Sequence, residues 1–334
     1  MRFHRIFILF HRASKVAWIV SALSLAPAIS RGQVPGMTLD QQNDHYGYYT
    51  YNTHGGWQSF TAGTNGHLGA VQLWLYSTGS NSGNSGGGDW TAILRIYEGE
   101  GTGGRILAEQ AISGDGLLQR RTFVIETPVR QAAGSQYTVS FGGSATHLTV
   151  RLSGNQYAGG TCSTGSAYDY NFMTYVITSD WSEEAYRDTS FTAVDMVISN
   201  AAQLAQFAWL VNNGNLYSGS TVTLANDISL AGHYWTPISF NSTWEKNFSG
   251  IFDGNGKTIR CVIVDHPGMA HQGVFGYSTG SIRNTNVTDV DIRGSDLVGG
   301  LISYCGGSVS NCSVSGLVAG NGYCLLYTSP SPRD

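Results

Sequence analysis

The sequence predicts an all-β protein. An N-terminal antiparallel jelly-roll β-sandwich is followed by a right-handed parallel β-helix, which has an N-terminal capping helix and is truncated. Three observations predict this. The 334 residues include 44 glycines and only 12% charged residues, a composition typical of short strands joined by tight turns. Short runs in the first half alternate apolar and polar residues. A 27-residue pattern repeats in the second half.

The first residues have the composition of a secretory signal. Basic residues lie among the first 15, an apolar stretch covers 16–29, and the small residues Ala28 and Ser30 suit a signal peptidase. Residues 1–32 are therefore predicted to be the signal peptide of an exported protein. A retained membrane anchor is the alternative. Because the apolar stretch is short for a span, no membrane span is expected in the mature chain.

Eight strand-like runs follow in residues 33–178, the predicted sandwich. They lie at 57–62, 68–76, 90–97, 106–112, 121–126, 136–142, 147–152 and 171–176. Leu94 and Ile96, like Phe123 and Ile125, alternate with polar residues, which predicts strands that turn one face to a core. Glycine-rich connections separate the runs. Short antiparallel strands with such turns are typical of a jelly roll.

A polar, acidic stretch at 179–193 is predicted to be a linker, and a helix follows it. Apolar residues recur with the helical period over 201–213, with Ser199 or Asn200 placed to cap the start and Gly214 to end the helix. The second module is predicted to cover 194–322. An open coil end exposes apolar side chains and unpaired backbone groups, so we expect the helix to cover it.

The second module repeats its apolar pattern. Phe275, Ile282, Asn284 and Val287 recur 27 residues later as Ile302, Val309, Asn311 and Val314. A looser copy places Phe252 in the role of Phe275, 23 residues earlier. A repeat of this length without a helix cannot bury its own apolar face, so it must stack on its neighbours as a solenoid. Gly and Asn then form the corners of the coils.

Several segments of the second module carry a family resemblance. They lie at 201–208, 211–214, 222–230, 235–238 and 248–259, and the motif Leu297-Val-Gly-Gly-Leu301 opens a repeat that runs to 318. In these residues the module resembles the bacterial GLUG-motif proteins, from the cap and first coils to the GLUG repeat itself. The resemblance implies a β-helix. Such repeats occur in surface adhesins and in proteins associated with immunoglobulin A peptidases, so no activity is implied.

The first module has weaker motifs, at 58–62, 94–99, 134–139, 157–160 and 169–172. In these it resembles the jelly-roll domains that precede anchoring regions in large bacterial exported proteins, which implies a binding or spacing role. The last residues, 323–334, break the repeat with two prolines and resemble a translated adapter tail. We expect this tail to be non-native and the true chain to continue.

Composition and motifs argue against several function classes. The formal net charge is −4 and no basic cluster is present, so no nucleic-acid partner is expected. A glycine pattern at 99–104 fits the dinucleotide fingerprint, but a strand-like run follows it where a helix is required. Paired CxxC motifs and the HExxH motif are missing. We therefore predict no catalytic residue and no cofactor, apart from a structural calcium ion treated below.

Polysaccharide cleavage on the β-helix is the alternative enzymatic hypothesis. Coil-borne carboxylates are able to act as acid and base on a sugar chain. Asp289, Asp291 and Asp296 lie close in sequence, with Arg293 as the nearby basic residue. Asp289 and Asp291 share a face if their strand is regular. Solvated positions on the coil exterior are the simpler interpretation.

Candidate binding residues lie near the start of the first module, where aromatic residues are frequent. Aromatic rings stack on sugar faces, and Asp44, His45, Tyr48 and Tyr49 are predicted to form the rim of a ligand site. Asp40, Asp44 and Asp169 are weak candidates for ligands of a structural calcium ion. Cys305 and Cys312 are close enough in sequence to pair, or are small buried apolar residues.

These observations predict a non-catalytic protein that is secreted or held at the cell surface. The jelly roll would mediate adhesion or bind carbohydrate, with glycans or host and cell-surface components as partners, and the β-helix would serve as a stalk. A polysaccharide lyase or hydrolase is one alternative. A structural spacer within a larger peptidase or anchored protein is the other.

Overall fold

Two antiparallel sheets make up the first part of the chain. The computed structural model describes residues 34–45, 49–53, 55–77, 89–117, 119–142, 148–165, 167–240, 246–321 and 324–325. The predicted signal peptide and most of the predicted tail lie outside these residues. The strands are β1 (Met37–Asn43), β2 (Tyr49–Thr53), β3 (Gly55–Thr61), β4 (Gly66–Ser77), β5 (Trp90–Glu98), β6 (Ile106–Gly114), β7 (Gln119–Gln131), β8 (Gln136–Gly142), β9 (Leu148–Gly154), β10 (Tyr168–Tyr170) and β11 (Phe172–Ile177).

One sheet has seven strands and the other has four. The larger runs β1-β11-β4-β9-β10, with β2 on β9 and β7 on β4, and the smaller runs β3-β8-β5-β6. Each of the eight predicted strands coincides with one of these elements, while β1, β2 and β10 were not predicted. We call residues 34–177 the antiparallel module.

A single core lies between the two sheets. Leu73 and Val150 from the larger sheet and Leu94 and Phe141 from the smaller one are almost fully buried and belong to the same cluster. Burial along β5 alternates as the sequence predicts. The other face of the larger sheet carries a smaller apolar cluster of Val34, Ala70, Met173 and Tyr175, and also the half-buried Trp74.

Parallel pairing replaces antiparallel pairing after residue 194. The elements are β12 (Val197–Ile198), α1 (Ala201–Asn212), β13 (Thr221–Leu224), β14 (Ile228–Ser229), β15 (Ile251–Asp253), β16 (Thr258–Arg260), β17 (Ile263–Asp265), β18 (Phe275–Ser278), β19 (Ser281–Arg283), β20 (Asn286–Arg293), β21 (Val298–Gly299), β22 (Ile302–Cys305), β23 (Ser308–Ser310), β24 (Ser313–Ala319) and β25 (Cys324–Leu325). Each described strand pair here is parallel, and we call residues 194–321 the parallel module.

The 27-residue register predicted from the sequence is confirmed. Three pairs lie opposite each other on adjacent parallel strands: Phe275 and Ile302, Ile282 and Val309, and Val287 and Val314. Apolar side chains from successive coils fill one continuous core. Stacked coils of this kind bury apolar faces that a single coil would leave in water.

The 23-residue offset predicted for the preceding coil is wrong. Phe252 pairs with Ile282, and Val264 pairs with Ile292. Phe275 belongs to a different ladder, in which it pairs with Ile302 and bridges to Ile238. The similarity between Phe252 and Phe275 is therefore one of residue type, whereas coil stacking is decided by which sheet a residue occupies.

The predicted helix α1 is present and packs against the core of the parallel module. Asn200 caps its start, because the Asn200 side chain accepts a hydrogen bond from the backbone N–H of Gln203 at 2.9 Å. Gly214 follows with a φ of 101°, a left-handed conformation that suits glycine at a helix end. Phe207 is fully buried beside Phe248 and Phe252 of the coils.

The predicted linker is folded onto the parallel module. It contains a 3₁₀ turn at Glu184–Tyr186. Phe191 is 4% exposed and belongs to the core of the coils, and Trp181 packs against that core. Residues 33–334 form one compact unit, so the antiparallel and parallel modules belong to the same unit. Across the described ranges, no helix has both the length and the apolar character needed to cross a membrane.

Candidate functional site

Two of the three predicted calcium ligands are engaged inside the antiparallel module. Asp169 is 1% exposed and accepts hydrogen bonds from the backbone N–H groups of Gln156 and Tyr157, at 3.0 and 2.9 Å. Asp40 accepts from the Thr64 hydroxyl at 2.9 Å and from the Gln131 amide at 2.9 Å. Both carboxylates hold loops in place, and a calcium role for them stays a prediction.

Asp44, the third candidate, lies elsewhere. Its carboxylate is partly exposed and pairs with the guanidinium of Arg120 at 2.6 Å. Within the described residues, no group of three or more His, Cys, Asp or Glu side chains is placed to hold a metal ion. The structure therefore does not bring Asp40, Asp44 and Asp169 into one such group.

Asp44 adjoins a tryptophan flanked by two arginines. The Arg120 guanidinium carbon lies 5.4 Å from the centroid of the Trp74 ring, and that of Arg151 lies 4.8 Å from it. Cation–π contacts at such distances are attractive and hold the ring in position. Arg120 also reaches the sulfur of Met173, at 3.8 Å. We call Asp44, Trp74, Arg120 and Arg151 the Trp74 surface.

Strand pairing explains how this surface forms. Trp74 on β4 lies directly opposite Arg120 on β7. On the other side of β4, Leu75 pairs with Val150 of β9, which places Arg151 close to Trp74. Leu73 and Leu75 point into the core, so Trp74 between them must point to the outer face of the sheet.

The other predicted rim residues are placed only in part. The His45 side chain is exposed, and its backbone carbonyl accepts a hydrogen bond from the Asn171 amide at 2.8 Å. Tyr49 lies on β2 opposite Leu152. Tyr48 lies outside the described residues. Of the four predicted ligand-binding residues, Asp44 is therefore the one that the structure places on the Trp74 surface.

Sequence reasoning did not assign Trp74, Arg120 or Arg151 to the site. A signal was present for Trp74, since it is the bulky residue at an outward position between two inward leucines. The arginines gave no such signal. They lie on strands far away in sequence, and only the sheet order brings them beside the ring.

The carboxylates of the enzymatic alternative do not share a strand face. Asp289 has a φ of 55°, and the pairing of β20 shifts register between Val287 and Val290. The strand is therefore irregular at the point where regularity was assumed. Asp289 is exposed at this corner and Asp291 is half-buried. Asp296 is also exposed.

Asp291 is held between the two modules. Its carboxylate lies 2.9 Å from Nε2 of the fully buried His67, 3.0 Å from Nε of Arg293 and 3.4 Å from Nε of Arg130. Burial raises the pKa of Asp291, but the His67 hydrogen bond and the charges of His67, Arg293 and Arg130 outweigh it and lower this pKa below the usual value of 3.8. These partners make Asp291 a fixed anion that joins the modules.

The Tyr234 hydroxyl belongs to the same junction. It lies 3.4 Å from Nδ1 of His67, and burial, with smaller effects of nearby charges, raises its pKa to about 12. The phenol therefore stays neutral.

The possible disulfide between Cys305 and Cys312 is not formed in the structure. Both residues are free thiols, and Cys312 is buried in the core of the coils.

Comparisons with known proteins give a limited result. No family model matches the chain. A stretch of 122 residues, 33% of this chain, is 30% identical to halomucin of Haloquadratum walsbyi. The chain spans about 1% of the length of that curated relative. This similarity concerns one segment, so the GLUG resemblance stays a prediction.

Proposed function

We propose that this protein is a non-catalytic, exported surface protein that contacts glycans through its antiparallel module. In this proposal the antiparallel module is a jelly roll and the parallel module is a right-handed β-helix of the GLUG type that serves as a stalk. The stacked parallel coils, capped by α1, support the second assignment. Two opposed antiparallel sheets around one core support the first.

The Trp74 surface is the observation that carries the glycan proposal. It combines the half-buried indole ring of Trp74 with the paired charges of Asp44 and Arg120 beside it. Aromatic rings bordered by polar groups are well suited to contact sugars.

A glycan array with the exported chain tests the proposal. We expect binding to at least one plant, algal or mucin glycan. Trp74→Ala is expected to lower the affinity roughly tenfold through the lost stacking area. Trp57→Ala, on the opposite sheet, is the matched control and should leave binding intact. Array signals at background for the wild type, or equal effects of the two variants, would rule the proposal out.

A further inference from the structure

A second cleft, lined by tryptophan, lies in the parallel module. It has a volume of about 400 Å³. Its walls come from α1, the segment at 235–240, the loop at 266–272 and residues 181–182 of the predicted linker. This volume lies within the range of small-ligand sites. The residues that matter here are Trp181, Ala208, Trp209, Trp235, Met269 and Gln272, which we call the Trp209 cleft.

The tryptophans of the cleft are held by contacts outside it. The Trp235 indole N–H donates to the carbonyl of Val274 at 3.1 Å, and the Trp181 indole N–H donates to the carbonyl of Leu230 at 3.0 Å. The Arg187 guanidinium lies 4.5 Å from the centroid of the Trp209 ring. Side chains fixed in this way lose little conformational entropy when a ligand arrives.

Two walls of the cleft expose large apolar side chains to solvent. Trp209 is 37% exposed and Met269 is 43% exposed, although both are bulky and apolar. Ala208, one residue before Trp209 on α1, is small and 4% exposed, and it leaves room for the cavity. Neighbouring exposed apolar side chains at the mouth of a cavity are typical of binding sites.

Gln272 supplies an unused acceptor at the cleft. The residue is 1% exposed, and its amide nitrogen donates to the carbonyl of Ala270 at 2.6 Å, which fixes the orientation of the amide. Its Oε1 is buried and has no hydrogen-bond partner among the described residues. A buried acceptor without a partner costs free energy, and a ligand hydroxyl that donates to it would remove that cost.

Charge restricts the chemistry of the ligand further. None of the residues lining the cleft is Asp, Glu, Lys or Arg. An ionised ligand would lose hydration there without gaining a counter-charge. The cleft thus offers aromatic surface, an amide acceptor and, apart from His266, no titratable side chain in its lining.

We propose that the Trp209 cleft binds a neutral saccharide of one or two sugar rings. A C–H face of the sugar lies against the partly exposed Trp209 ring, and a sugar hydroxyl donates to Oε1 of Gln272. This site is separate from the Trp74 surface and stands or fails independently of it. Because no Asp, Glu, Lys or Arg lines the cleft, binding here should be insensitive to salt.

The test uses the exported chain and four neutral disaccharides: maltose, cellobiose, lactose and N,N′-diacetylchitobiose. Saturation-transfer NMR and titration calorimetry should detect binding of at least one of them at millimolar concentration. Trp209→Ala and Gln272→Leu should each weaken it roughly tenfold. Trp57→Ala in the antiparallel module is the matched control and should leave the affinity unchanged.

The two variants separate the binding role from a structural one. Trp209 is partly exposed on a helix and Gln272→Leu preserves side-chain size, so each variant should unfold within a few degrees of the wild type. Binding of the apolar probe indole without binding of any disaccharide would overturn the proposal. Disaccharide binding that is unchanged in both variants would overturn it equally.

Discussion

Left-handed residues define the corners of the parallel module. Asn284 and Asn311 both have a φ of 51° and stack in adjacent coils. The amide of Asn311 donates to Oδ1 of Asn284 at 2.8 Å, and the amide of Asn284 donates to Asp253 at 3.0 Å. Asparagine tolerates this conformation better than other residues with a side chain, and here its amide also links one coil to the next.

Replacing Asn284 should separate these two contributions. Asn284→Ala removes two side-chain hydrogen bonds and places a Cβ-bearing residue without a compensating contact in the left-handed region, so we expect a loss of about 2–3 kcal/mol in the free energy of unfolding. Asn284→Gly removes the same bonds without the backbone strain and should cost about 1 kcal/mol less. Urea denaturation measures both. Equal losses would show that the left-handed conformation is not a source of the cost.

At the scale of elements, α1 buries apolar side chains of the first coils. Phe207 packs against Tyr217, Phe248 and Phe252, with ring centroids 4.9, 5.6 and 6.0 Å away. The apolar side of the helix therefore faces the coils, where backbone groups and apolar side chains would otherwise be exposed to water. On its other side the same helix presents Trp209 to the cleft.

Truncation of Phe207 should destabilise the parallel module severely. Phe207→Ala removes a fully buried ring from a site with three aromatic neighbours, and we expect a loss of about 3–5 kcal/mol. Phe207→Leu, which keeps most of the volume, should cost clearly less. Thermal and urea unfolding monitored by circular dichroism compare the two. A small effect of Phe207→Ala would mean that the coil end does not depend on the helix.

The elements were predictable where the local pattern was strong. The helical period and its cap gave α1, and the close match of two neighbouring coils gave the 27-residue register. The coil before them has a longer repeat, with Phe252 and Ile282 separated by 30 positions, and residue similarity alone pointed to the wrong partner. Short strands such as β10, with three residues, carry too little pattern to be recognised.

At the scale of the whole molecule, polar side-chain contacts join the two modules. His67 and Asp291 are 224 positions apart in the chain, and Arg130 and Asp291 are 161 apart. No local pattern encodes such contacts, so the junction and the fate of Asp291 were beyond sequence analysis. The Trp74 surface was unpredictable for the same reason, since its arginines come from separate strands.

Asp291 should make this junction sensitive to acid. The folded-state pKa of Asp291 is lowered, so its stabilisation is fully present above pH 4 and is lost as the pH falls through that lowered value. Asp291→Asn should cost about 2–3 kcal/mol at pH 7, and the difference from the wild type should shrink below pH 4. Urea unfolding at pH 7, 4 and 3 measures it.

Asp289→Asn is the matched control for this experiment. The Asp289 carboxylate is exposed and accepts a hydrogen bond from the neighbouring Thr288, and its left-handed backbone suits asparagine. We expect a change within about 0.5 kcal/mol at each pH. A deficit of Asp291→Asn that stays constant from pH 7 to pH 3 would contradict the assigned role of the junction.

Arg130 of the antiparallel module contacts two acidic residues of the parallel module. Its guanidinium lies 2.6 Å from a carboxylate oxygen of Asp265 and 3.4 Å from one of Asp291, and these two acids lie on adjacent strands β17 and β20. One side chain from the antiparallel module thus contacts two neighbouring strands of the parallel module. A force that separates β17 from β20 has to break both contacts of Arg130 as well as the backbone hydrogen bonds between the strands. The antiparallel module therefore reinforces this strand pair against mechanical separation.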